Sequence, residues 1–188
     1  MSDSGKRPSV LVPSDLDRLP KEFLLQLLRL YARCFLSVDG FWYLAVRERL
    51  GNEEALACDI AAWEKQAKYE AKRLAALAGI EKADLHSLMQ VLHLTPWLQN
   101  LEYRIEQAGQ HSFTLTVTRC PTLRALEAEG QGREASICNI VEPHVLKKYA
   151  EFAGPGIEVR PLRVPPRVWQ DEVCCQWEFV RHESCRQR

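Results

Sequence analysis

Phe113-Thr114-Leu115-Thr116-Val117-Thr118 alternates apolar side chains with threonine. A period of two is that of a half-buried β-strand, and Phe, Val and Thr suit a pleated backbone. The stretch decides the fold class because the sequence before it has another period. Over residues 20–36 the apolar positions Phe23, Leu24, Leu27, Leu28, Tyr31 and Phe35 recur every three or four residues, the spacing of one helix face. Asp39-Gly40 is expected to turn the chain. A second helix then starts at Phe41-Trp42-Tyr43 and ends near Gly51. A third runs over residues 52–78, with Leu56, Ile60, Trp63 and Ala67 on one face and Gly79 as its stop. A fourth is expected over residues 82–106, kinked or divided at Pro96.

Beyond the 113–118 strand, Pro121 lies at the first turn of a short helix ending near Glu129. A further helix is expected over residues 136–152, with Pro143 near its start. Gly154-Pro155-Gly156 turns the chain into a strand at Ile157-Glu158-Val159-Arg160. Pro165-Pro166 ends that strand, and residues 173–180 form a third. The pattern predicts an α+β fold: a helical N-terminal half packed on a small, mostly antiparallel C-terminal sheet. Residues 1–19 read as a tail, with Ser14 or Asp15 a possible cap before the first helix. Residues 20–108 are the helical region and 109–182 the α+β region. Residues 183–188 are a second tail. Three strands alone make a poor core, so both regions are expected in one domain.

Lys plus Arg equals Asp plus Glu, 25 against 25. That balance argues against nucleic acid as a partner, since phosphate binding needs a basic excess. It leaves little charge repulsion, so a homo-oligomer is plausible. No apolar run reaches the length of a membrane span, and no signal-peptide core follows the N-terminus. A cytoplasmic location is therefore expected, where the seven cysteines would be thiols or metal ligands rather than disulfides. There is no phosphate-cradling glycine loop, H-E-x-x-H or G-x-S-x-G, which disfavours nucleotide, zincin and α/β-hydrolase chemistry.

Cysteines from separate elements form the leading candidate site. Cys120 ends a strand just before a helix, where the helix dipole and free N–H groups are expected to lower its pKa. Cys138 stands before or within the next helix. In the strand Cys174-Cys175-Gln176-Trp177-Glu178-Phe179, Cys175 shares a face with Trp177 and Phe179. If that face looks toward the helices, Cys120, Cys138 and Cys175 converge. With Glu142, one helical turn from Cys138, or His144 as fourth ligand, the set would suit zinc or iron. The same thiols could instead serve as a nucleophile, or simply pack as small apolar residues. Asp39 is a candidate polar handle in a ligand pocket. His86 and His93, seven apart on one helix face, are candidates to line a cavity but stand too far apart for one metal ion. Cys34, Cys58 and Cys185 read as incidental.

Val38-Asp39-Gly40-Phe41-Trp42-Tyr43-Leu44-Ala45-Val46, Arg49-Leu50-Gly51, Trp63, and then Cys120, Cys138, Pro165-Pro166 and Cys175-Gln176-Trp177-Glu178-Phe179 follow one another in order over residues 20–180. In that order they resemble a family of bacterial and archaeal cytosolic proteins of unknown function. The chain is more distantly similar to L-2-amino-thiazoline-4-carboxylate hydrolases, which combine N-terminal helices with a cysteine-bearing C-terminal strand. That resemblance implies ring-opening hydrolysis of a small thiazoline acid, with one of Cys120, Cys138 or Cys175 as nucleophile. A third resemblance, to vinyl-reductase-like domains, implies a small-molecule-binding α+β fold. The expectations are thus a small-ligand or metal-binding protein, a thiazoline-type hydrolase, or a non-catalytic interaction module.

Overall fold

The computed structural model describes residues 13–167 and 173–182, with side chains from residue 16 onward. Residues 1–12 of the tail expected over residues 1–19, the C-terminal tail with Cys185, and the side chains of the two candidate caps lie outside the described residues. The fold is α+β. After a 3-10 turn at Pro13–Arg18, helices α1 (Lys21–Leu50), α2 (Asn52–Leu77) and α3 (Leu85–Leu94) lead to a hairpin of β1 (Glu102–Gly109) and β2 (Ser112–Arg119). Helix α4 (Pro121–Glu129), a short α5 (Arg133–Ser136) and α6 (Glu142–Phe152) follow, then β3 (Ile157–Arg163) and β4 (Cys175–Arg181). The four strands are antiparallel in the order β1-β2-β4-β3.

Asp39-Gly40 does not turn the chain. Helix α1 runs through it for 30 residues. The reason is local: the Asp39 carboxylate accepts a hydrogen bond from Trp63 Nε1 on α2 at 2.9 Å instead of capping a backbone end. A mid-helix glycine costs only about 1 kcal/mol, and the Asp39–Trp63 bond holds this part of α1 onto α2. The break comes at Gly51, whose φ of 93° ends α1 and starts α2. Asn52 then accepts from the Tyr43 hydroxyl at 2.8 Å, tying the two helices at the corner.

The fourth helix is shorter than expected. It opens on a capping box of Asp84 and Ser87 and closes at Thr95, before Pro96. Residues 102–109 are a strand, which the run Glu102-Tyr103-Arg104-Ile105-Glu106 already carries as a period of two. Strand β1 pairs with β2 along its length.

Opposite register partners Phe113 and Phe179, Leu115 and Trp177, and Val117 and Cys175 put one face of β2 and β4 into the core. The Phe113 and Phe179 rings stack at 4.4 Å. That face meets α6, α3 and the alanines Ala67, Ala71 and Ala75 of α2 in a single cluster. Between α5 and α6 the helix widens into a π turn at Ile137–Val141. Pro143 follows in the first turn of α6. Proline has no N–H to give to residue 139, so a wider turn there costs little. The turn carries Cys138 and delivers Glu142 inward.

Candidate functional site

The π turn, the start of α4, the β2–β4 pair and the middles of α1 and α2 surround three connected hollows. The outermost is a groove of about 570 Å³ beside α1, lined among others by Arg29, Arg33, Asp39, Tyr43, Asp59 and Arg133. Its volume is that of a small-molecule site. A cavity of about 90 Å³ lies further in and shares Asp39 and Asp59 with the groove, adding Trp63, Cys120, Cys138 and Glu142. A last hollow of about 40 Å³ shares Cys120, Cys138 and Glu142 and ends against Cys174, Cys175 and Trp177.

Cys120, Cys138, Cys175 and Glu142 all line that last hollow. Cys175 is on the same face as the buried Trp177 and Phe179, as parity requires. Cys174, just outside the strand, is buried too, and its N–H donates to the Val117 carbonyl at 2.8 Å. The thiols do not assemble more closely: among the described residues no group of three or more His, Cys, Asp or Glu is placed to hold a metal ion.

The cysteine electrostatics run against the sequence reading. Cys120 is the N-cap of α4 and accepts from the Leu123 N–H at 3.3 Å, which by itself favours the thiolate. Burial outweighs that contact and, with the nearby Glu142 charge, pushes the thiol up to about 11. Burial and then Glu142 hold Cys138 and Cys175 well above the ordinary thiol range. All three are neutral, weakly nucleophilic thiols near neutral pH.

The acidic groups are placed differently. Asp39 is reached from the middle of α1, not from a turn, and lies at the junction of groove and cavity. Beside it is Asp59 of α2, which the sequence reading did not single out. It is only 4% exposed, hydrogen-bonds Asp39, and has one oxygen, Oδ1, with no partner among the described residues. Burial, then the charges of Asp39 and Glu142 and the bond to Asp39, push Asp59 up to about 7. Burial also raises Asp39, against the Trp63 and Asp59 hydrogen bonds, which favour its ionised form. Glu142 is pushed up to about 7 by burial and then by Asp39. Two adjacent carboxyls in a dry site share a proton. Burial raises both members, and the Asp39 charge raises Asp59 further.

The model of one protein family, described as a family of unknown function (DUF6125), matches residues 17–181. The chain belongs to that family. No curated protein and no solved structure matches the chain.

The histidine candidates fall elsewhere. His86 and His93 are both exposed on α3 and line none of the three hollows; His93 Nδ1 meets the Tyr103 hydroxyl at 2.9 Å. His144 is exposed beside Glu64 at 3.1 Å, so Glu142, not His144, faces the thiols. A signal for Asp59 was present in the sequence. It sits three residues after Leu56 and four before Trp63, a charged residue inside an apolar helix stripe. At the mouth of the groove, Arg29 and Arg33 have no ion-pair partner among the described residues, whereas Arg47 and Arg133 both pair with Glu129. The groove is thus basic at its mouth and acidic at its floor. No helix is long and apolar enough to cross a membrane among the described residues.

Proposed function

We propose that this chain is a hydrolase for a small molecule with an anionic end and a cationic or hydrogen-bond-donating end, of the thiazoline-carboxylate kind. The observation that carries the reading is the Asp39–Asp59 pair at the floor of the groove, two neighbouring carboxyls of which Asp59 is buried, has one oxygen unpartnered among the described residues and is pushed up to about 7. Arg29 and Arg33 fit a substrate carboxylate, and the carboxyl pair fits an amidine-like ring nitrogen and its amino group.

In this reading Asp39 takes a proton from water as the water oxygen bonds to the amidine carbon. Asp59 gives its proton to the ring nitrogen, and the ring C–N bond breaks. Net, the water oxygen ends as a carbonyl and both water protons end on the released nitrogen, so the pair returns to its starting state. The thiols contribute no covalent step. They and Trp97, Leu101 and Trp177 keep the inner end of the site apolar, which holds the carboxyl values high.

The test uses 2-amino-2-thiazoline-4-carboxylate and follows the ring-opened carbamoyl product by mass spectrometry. Turnover is expected in the native chain. Asp59→Asn should lower kcat by roughly a hundredfold or more, while Cys138→Ala and Cys175→Ala stay within a few-fold. Absence of both turnover and binding would reject the substrate class. Loss of turnover in a cysteine variant, with Asp59→Asn active, would move the chemistry to a thiol.

A further inference from the structure

Helix α1 buries one face against α2 and the 98–100 turn, through Ala32, Phe35, Leu36 and Tyr43. Its opposite face is not polar. Leu27, Tyr31, Cys34, Val38, Phe41 and Ala45 follow one another at alternating intervals of four and three. That is the a/d spacing of a coiled-coil seam, with a mean period of 3.5 residues. From Tyr31 onward every one of them is exposed, Val38 at 67% and Phe41 at 70%. Leu28, Leu30, Trp42 and Leu44 are exposed on either side of the seam.

We infer that this seam is the interface of a two-fold dimer, its occupant being α1 of a second copy of the chain. Three observations argue for that occupant. A seam with period 3.5 is shaped for another helix, and a self-complementary surface is what a two-fold axis needs. The area also fits: seven large apolar side chains at about 100 Å² each give roughly 700–800 Å² per copy, the size of a standard interface and more than a typical monomer leaves bare. Finally, the seam is continuous with the groove, since Phe41 of the seam and Leu44 beside it also line the groove.

The helices run antiparallel. A parallel pair would set Glu48, the next d position after Phe41, against its own copy, and would align the two helix dipoles. Antiparallel pairing sets Tyr31 of one copy against Phe41 of the other, Cys34 against Val38, and Leu27 against Ala45. Each groove then has the other copy's α1 along its outer wall.

Sedimentation of the full chain tests this. At tens of micromolar it should sediment at twice the 21.6 kDa of one chain. Val38→Glu should give single copies with unchanged far-UV circular dichroism, because Val38 is 67% exposed and lies outside the core cluster. Leu77→Glu, on an equally exposed apolar residue of α2 away from the seam, should remain a dimer. A native chain that sediments as single copies overturns the inference. So does a dimer that survives Val38→Glu, or one that Leu77→Glu dissolves.

Discussion

Asp59 stands where the amphipathic pattern of α2 calls for an apolar side chain, and its position has two measurable consequences. A carboxyl held near 7 in the folded chain keeps its proton over the interval from its unfolded value upward. The native state therefore binds more protons than the unfolded state between about pH 4 and pH 7, and stability falls as the pH rises through that interval. Asp59→Asn removes the ionisation penalty while keeping the shape, so at pH 8 the variant should be more stable than the native chain by about 1–2 kcal/mol. Urea titrations at pH 5 and pH 8 would show the gap widening toward the higher pH. Under the proposed mechanism the same protonated carboxyl is the acid, so kcat should fall above about pH 7. The thiols give a further check. Burial keeps Cys138 and Cys175 neutral, so iodoacetamide should leave those two unlabelled until the chain unfolds. Of these residues the sequence made Cys138, Cys175 and Glu142 visible, because strand parity and helical spacing act over short range. It marks Asp59 only as a charged residue in an apolar stripe, and not as the partner of Asp39, which is twenty positions away along the chain.

Helix α3 and strand β1 show what an element adds. Asp84 accepts from the Ser87 N–H at 2.9 Å, and Ser87 returns a bond to the Asp84 N–H at 2.7 Å. Asp84→Ala should cost about 1 kcal/mol of stability in urea unfolding, since the Ser87 N–H loses its acceptor. The hydrogen bonds from Ser87, together with nearby Lys82, hold the Asp84 carboxyl below its usual range, so its contribution is lost as the pH falls through that lowered value and is full at neutral pH. Helical spacing alone overextends this element to residue 106. Pro96 stops it, and the alternation at residues 102–106 becomes decisive only once β2 is present to pair with it. The opposite error occurs in α1, where a glycine that reads as a turn is carried through because Asp39 bonds across to α2. The π turn at Ile137–Val141 follows the same logic, for Pro143 announces an irregularity but not its width.

At the scale of the molecule, the helical half and the sheet share one hydrophobic cluster. Trp177 sits within it at 1% exposure, amid residues from α2, α3, α6 and β2. Trp177→Ala should cost roughly 3–5 kcal/mol. Circular dichroism, which reports mainly the helices, and tryptophan fluorescence should follow one coincident unfolding transition in both chains. Separate transitions would mean two cores. The sequence by itself determined the α+β class, most helix limits and the shared face of Cys175, Trp177 and Phe179, because each follows from periodicity within a single element, while the choice between Glu142 and His144 stayed open. Only the tertiary structure decided that Asp39 and Asp59 form a pair, that the cysteines are shielded thiols, and that a groove leads to both, because burial and contact between distant segments set those properties and no local pattern encodes them.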